Sequence, residues 1–271
     1  MNMPDFFEQM CKVIADSELQ HTGIPVDSAE TARFFSALLR REENQPVPVQ
    51  TVPVPPVVEA PEKKPAIQSP VTAPPPVSGN FTTLEDIRNA VASCQRCVLC
   101  RQRRNPVFGE GDPNARLMFI GEGPGAEEDL QGRPFVGRAG ELLNKMIRAM
   151  QFSREEVYIA NIVKCRPPDN RMPAPEEAAE CLPYLRRQIE LIRPEVIVLL
   201  GATAVKYLLN VTTGISRLRG RWLSYENIPV MATFHPAFLL RKEEAKRDTW
   251  NDLQQVMARF GKYHNPGAKR G

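Results

Sequence analysis

From Phe81 onward the apolar residues follow two different spacings. Short, nearly continuous apolar runs occur at Arg116–Ile120 (RLMFI), Val157–Ile162, Glu195–Leu200 (EVIVLL) and Pro229–Thr233. Their length and β-branched content are those of strands buried on both faces. Between them lie stretches with helical spacing: Leu84–Ala92, Ala139–Met150, Pro175–Ile192 with an internal Pro183, Ala202–Leu209 behind Gly201, and an amphipathic segment from Arg247 to Phe260. Strands alternating with helices predict an α/β fold, a parallel sheet with helices on both faces. Ligands of such sheets bind beyond the C-terminal strand ends. The loops after Ile120, Ile162, Leu200 and Phe234 are therefore where chemistry is expected.

The first 80 residues read differently. Residues 1–43 hold two short apolar-periodic stretches, around Phe6, Met10, Val13 and Ile14 and around Ala32, Phe35, Leu38 and Leu39. They predict a small helical segment, which would take Cys11 as an apolar residue. Residues 44–80 contain eleven prolines and no aromatic residue. Such a stretch cannot bury enough apolar surface to offset its ordering entropy, so a disordered, semi-rigid linker is expected. The pattern thus divides into a helical N-terminal segment (1–43), a Pro-rich linker (44–80), a catalytic-sized domain (81–262) and a flexible tail (263–271).

Composition narrows the class. Of 271 residues, 42% are hydrophobic and 25% charged, with mean hydropathy −0.34, as in ordinary globular proteins. No run of 18 apolar residues is present, and the N-terminus MNMPDFFEQMCKV lacks the basic-then-apolar order of a signal peptide. A cytoplasmic location is the expectation, and with it six cysteines that are not disulfide-paired. Net charge is uneven. Residues 1–80 carry six Lys/Arg against ten Asp/Glu, whereas residues 81–271 carry 29 against 22. A basic C-terminal part fits a polyanionic partner such as nucleic acid.

The loops carry the candidate chemistry. After the first strand comes Gly121-Glu122-Gly123-Pro124-Gly125. It matches neither the dinucleotide nor the P-loop pattern, but its glycines would admit close backbone approach to a ligand, or simply a tight turn. Phe135, within Gly132-Arg133-Pro134-Phe135-Val136-Gly137, fits either core packing or a stacking platform for a base. Asn161, ending the second strand, can cap a turn or pair its amide with the donor–acceptor edge of a base. His235, at the end of the last strand in FHPAFLLR, can be structural or can donate a hydrogen bond to a developing anion. Cys94-x2-Cys97, with Cys100 at the same interval and Cys165 and Cys181 far downstream, supplies four or more thiols for one centre. Four thiolates suit zinc or an iron–sulfur cluster, and spacing does not choose between them.

Assembled, these motifs resemble the family 4 (iron–sulfur) uracil-DNA glycosylases. Cys94-x2-Cys97, VFGEGDPNARLMFIGEGPGAEED, GRPFVGRAGELLN, YIANIVKCRPPDNR, Cys181 and FHPAFLL occur in that family's order across roughly residues 82–262. The resemblance implies a three-layer α/β/α sandwich around a four-stranded parallel sheet. It implies a DNA repair enzyme that hydrolyses the N-glycosidic bond of uracil, leaving an abasic site, on single- or double-stranded DNA. It further implies a [4Fe–4S] cluster on Cys94, Cys97, Cys165 and Cys181, with Cys100 to spare. By the same resemblance Phe135 would stack on uracil, Asn161 would read its polar edge, and His235 would bond O2. Glu122 and Gly123 would line the pocket, Glu122 positioning water. Leu239 would wedge into the helix and Arg241 would hold phosphate. A segment CRPPDNRMPAPEE stands where a covalent-trapping branch carries a histidine, so turnover is expected. The rival readings are a non-catalytic DNA-binding scaffold, a glycosylase for other deaminated bases and an iron–sulfur redox protein. A monomer is expected, with the N-terminal segment free to engage a protein partner.

Overall fold

The computed structural model describes residues 81–263. The helical N-terminal segment, the Pro-rich linker and the tail from residue 264 lie outside the described residues.

Among the described residues there are six strands: β1 (Glu110–Gly111), β2 (Leu117–Gly121), β3 (Tyr158–Asn161), β4 (Val196–Leu200), β5 (Trp222–Tyr225) and β6 (Ile228–Thr233). They form one sheet in the order β1-β3-β2-β4-β6-β5. The inner four are parallel, as expected, and β1 and β5 are antiparallel additions at the two edges. The sheet therefore has six strands where the resemblance implied four. The pattern misses β1 because two residues show no period. It misses β5 because an edge strand is only partly buried. The β5–β6 link is a two-residue turn, Glu226-Asn227, with φ of 47° and 67°. Positive φ at both central residues is the turn that matches the twist of a hairpin.

The helices are α1 (Leu84–Ala92), α2 (Ala126–Gln131), α3 (Arg138–Ala149), α4 (Pro175–Ile192), α5 (Ala202–Leu209), α6 (Ile215–Leu218), α7 (Pro236–Leu239) and α8 (Ala245–Arg259). Strand alternation splits each apolar run between two cores. Met118, Ile120, Ile197, Leu199 and Val230 point to one face, where Ile87 and Val91 of α1, Leu185 and Ile189 of α4 and Val205 of α5 cover them. Leu117, Phe119, Val196, Val198 and Met231 point to the other, under Leu143 and Ile147 of α3 and Leu253 and Val256 of α8. This is the three-layer sandwich. Among the described residues no helix is long and apolar enough to cross a membrane.

Chain path positions the site. From β2 the chain crosses through α2 and α3 to β3 on one side, then returns through α4 to β4 on the other. This reversal opens a crevice at the C-terminal end of β2, where such sheets bind ligands. A buried ion pair braces the neighbouring β6 end. Asp252 of α8, 1% exposed, accepts from Arg219 at 2.6 and 3.1 Å and from the Thr233 hydroxyl at 2.6 Å, just ahead of Phe234-His235.

Candidate active site

Gly121 forms the floor of the crevice. A β-carbon there would lie 2.5 Å from Asn161 Oδ1 and 2.6 Å from Phe135 Cζ. Only glycine lets the Phe135 ring and the Asn161 amide meet over the end of β2. Asn161 is 2% exposed, and its Oδ1 is buried without a hydrogen-bond partner. A buried unpaired acceptor costs roughly 1–3 kcal/mol, which a ligand donor would recover.

Phe135 is held at φ 51°, a left-handed conformation that bulky side chains avoid. Its surroundings enforce that backbone. The Glu128 carboxylate accepts from Val136 N at 2.9 Å and Gly137 N at 3.0 Å, and also from Gly125 N at 3.1 Å. The Arg154 guanidinium donates to the Phe135 carbonyl at 3.2 Å and to the Pro134 carbonyl, and bonds Asn144 Oδ1 at 2.8 Å. Gly140, in the first turn of α3, presses on the same segment: a β-carbon there would sit 2.0 Å from the Phe135 carbonyl carbon. Phe135 is 5% exposed and belongs to the core under α3 and α8, with its backbone fixed by these contacts.

The His235 ring lies beside it, with ring centroids 5.7 Å apart. His235 caps α7, and its Nδ1 accepts from Ala237 N at 3.1 Å. An accepting Nδ1 carries no proton, so the neutral ring bears its proton on Nε2 and is a donor there. Burial, reinforced by the charge of nearby Arg241, pushes the imidazole down to about 4. Gly201, at φ 90° behind β4, permits this approach, since its β-carbon would lie 3.0 Å from His235 Cβ. Gly201 N also bonds the Thr233 carbonyl at 2.9 Å.

Glu122 and Gly123 follow Gly121 at the crevice. Burial raises the Glu122 carboxyl above the usual range, partly offset by a hydrogen bond with Thr203. Gly123 is close to Val163, whose Cγ2 would be 2.7 Å from a β-carbon there.

A second cleft is lined by Cys94, Cys97, Cys100, Cys165 and Cys181. The structure therefore brings together all four sequence-assigned thiols and the spare one. Arg103 Nη1 points to Cys165 Sγ at 3.0 Å, and the main-chain N–H of Lys164 points to Cys181 Sγ at 3.2 Å. Donors aimed at sulfur favour thiolates, and such bonds tune sulfur-ligated centres. Burial acts the other way, raising Cys97 and Cys165 and pushing Cys181 up to about 12. A cationic centre would reverse that order. Among the described residues no group of three His, Cys, Asp or Glu side chains is set to hold a single metal ion. The two clefts are joined by Lys164. It is 1% exposed, and its ammonium donates to the Asn161 carbonyl at 3.1 Å and to Gln188 Oε1 at 2.7 Å.

Leu239 is 1% exposed and packs in the α3–α8 core, while its neighbour Leu240 is 38% exposed. Arg241 is exposed, close enough to His235 to shift it. The sequence reading missed Glu128, Arg154, Gly140, Lys164 and Thr203. Arg154, Lys164 and Thr203 act through residues far along the chain, and Glu128 and Gly140 through a loop conformation that no periodicity reports.

Residues 108–254 match the profile of the "Uracil DNA glycosylase superfamily". The chain is 47% identical over 179 residues to the type-4 uracil-DNA glycosylase of Thermotoga maritima, covering 64% of this chain and 92% of that protein. It is 42% identical over 188 residues to the type-4 uracil-DNA glycosylase of Archaeoglobus fulgidus, covering 66% and 94%. Similarity to a type-5 uracil-DNA glycosylase of Pyrobaculum aerophilum is lower, 30% over 208 residues, covering 65% and 91%.

Proposed function

Because the chain belongs to the uracil DNA glycosylase superfamily, alongside its type-4 enzymes, we propose that it hydrolyses the bond between uracil and deoxyribose in DNA by means of the pocket at the end of β2. The reaction is a step of DNA repair that releases free uracil and leaves an abasic site.

The observation that carries this reading is the unpaired Oδ1 of Asn161 beside the Phe135 ring, which in turn neighbours the His235 ring. Uracil flipped from the helix presents an N3–H flanked by two carbonyl oxygens. The N3–H supplies the donor that Asn161 Oδ1 lacks. Phe135 offers a face for stacking, and Gly121 and Gly123 let the base approach the backbone. Cytosine has no proton at N3, so its lone pair would meet that of Oδ1.

Breaking C1′–N1 moves the bonding electron pair onto the base, chiefly to N1 and O2, and leaves positive character on the sugar. His235 Nε2–H is a neutral donor to the developing charge at O2. Removing one preorganised donor of this kind costs roughly 10²–10³ in rate. Water then adds its oxygen to C1′ and gives up a proton, which balances the one the uracil anion takes up to leave as free uracil. In this reading Glu122, hydrogen-bonded to Thr203, orients that water and faces the sugar cation. Leu240 fills space left by the flipped nucleotide, and Arg241 takes a phosphate.

Cys94, Cys97, Cys165 and Cys181 fit a [4Fe–4S] cluster by their donor set, with the Arg103 and Lys164 N–H groups as sulfur partners. Bound, it would supply a covalent cross-tie between the segment before β1 and the connection after β3. Asn161 is held from the same side through Lys164.

The experiment is uracil release from an oligonucleotide with one uracil, scored by alkaline strand scission, for the unaltered protein and Asn161→Asp. Scission by the first and strong loss in the second support the reading. No scission from cluster-loaded protein, with release of hypoxanthine instead, would move it to another deaminated base.

A further inference from the structure

The connection from β3 to α4 leaves the sheet directly behind Asn161 and borders the pocket, with Pro167 Cδ 3.7 Å from the β-carbon position of Gly123. Its polar groups are tied down along its length. Arg166 Nε bonds Asn170 Oδ1 at 2.8 Å, and Asn170 N bonds the Pro167 carbonyl at 3.1 Å. Arg171 grips Glu177 of α4 with two bonds of 2.7 and 2.8 Å. The Tyr207 hydroxyl of α5 donates to the Pro173 carbonyl at 2.7 Å. Asp169 and Asn170 sit at φ 52° and 54°, so the chain turns sharply between these anchors. Amid this bracing the Met172 side chain stands out at 54% exposure.

A lone exposed apolar side chain is unremarkable on most surfaces. This one is carried by a rigid loop, at the rim of a crevice that must draw a nucleotide from a stacked duplex. Across the crevice, behind His235, Leu240 is the other exposed large apolar side chain of the rim. Sheet order puts the two on opposite sides, since β3 and β6 flank β2 and β4. Arg166 and Arg241 accompany them, a charge match for phosphates on either side.

Resting on the uracil-DNA reading above, we propose that Met172 is a second apolar prong. It packs against the bases beside the flipped uracil from the Asn161 side, while Leu240 enters from the His235 side. Side chains of this type, methionine among them, unstack base steps by insertion. The prong matters only where stacking and pairing must be broken, so its contribution belongs to duplex DNA.

Met172→Ala and Met172→Leu are compared on one uracil-containing strand, alone and paired with adenine opposite the uracil. For Met172→Ala, kcat/KM on the duplex is expected to fall about tenfold while single-strand activity stays within about twofold, because unstacking is the step affected. Met172→Leu should restore the duplex rate. A 2-aminopurine beside the uracil should brighten less with the Ala variant. Equal losses on both DNAs, or none on the duplex, would overturn the proposal. If the unaltered protein released uracil from neither DNA, the uracil reading itself would fall.

Discussion

His235 supports a prediction that separates two chemistries. In the neutral form its Nε2–H is a hydrogen-bond donor, whereas as an imidazolium it would be an acid delivering a proton to uracil. The geometry favours the donor, since Nδ1 is occupied as an acceptor by Ala237 N and burial pushes the ring down to about 4. At pH 5.5 roughly 3% of such rings are protonated, against roughly 90% for an unperturbed histidine. Single-turnover uracil release should therefore be flat in its His235-dependent part from about pH 5.5 to 8. His235→Ala should lower it roughly 10²–10³-fold across that range, about 3–4 kcal/mol of transition-state stabilisation. Stability carries the same signature with a definite sign. The folded-state value lies below the unfolded value of 6.5, so the unfolded chain takes up a proton first as pH falls. Stability is lost between about 6.5 and 4, by at most about 3 kcal/mol from this group. The reasoning would be refuted by a rate that climbs toward acid with an apparent value near 6.5 in the unaltered protein but not in His235→Ala. That profile is the mark of an imidazolium acid.

Three further outcomes follow from the packing. Gly140→Ala normally favours a helix by up to about 1 kcal/mol, yet here it would drive a methyl into the Phe135 carbonyl, so uracil release should fall at least about tenfold; unchanged kinetics would show that the Phe135 backbone has slack. Asp252→Ala leaves the Arg219 guanidinium only Asp248 and the Thr233 hydroxyl without its acceptor, and should cost about 1–3 kcal/mol in urea unfolding; no measurable loss would mean solvent replaces the carboxylate. Cys181→Ala should abolish the brown iron chromophore while Cys100→Ala retains four irons per chain, measured by iron and sulfide assay; iron loss in both would make Cys100 a ligand.

Local physics made much of this protein legible before any coordinates. Continuous apolar runs meant strands covered on both sides, helical periodicity meant the covering layers, and their alternation placed the site at the strand ends. Asn161 and His235 were marked by standing at those ends, and the cysteines by their spacing. Tertiary structure decided what depends on contact between distant residues. It fixed the Phe135 backbone in a left-handed conformation through Glu128, Arg154 and Gly140. It set the histidine tautomer through a backbone amide, which no side-chain pattern reports. It set Leu239 in the core and Leu240 at the surface, because one step along a helical turn rotates a side chain by about 100°. It also added two edge strands, whose pairing depends on a neighbour already in place rather than on their own few residues. Periodicity is written in the chain because burial acts on every turn and every strand residue alike. The geometry of a site is set by which distant segments the packed layers bring into contact, and that is decided only once the layers close.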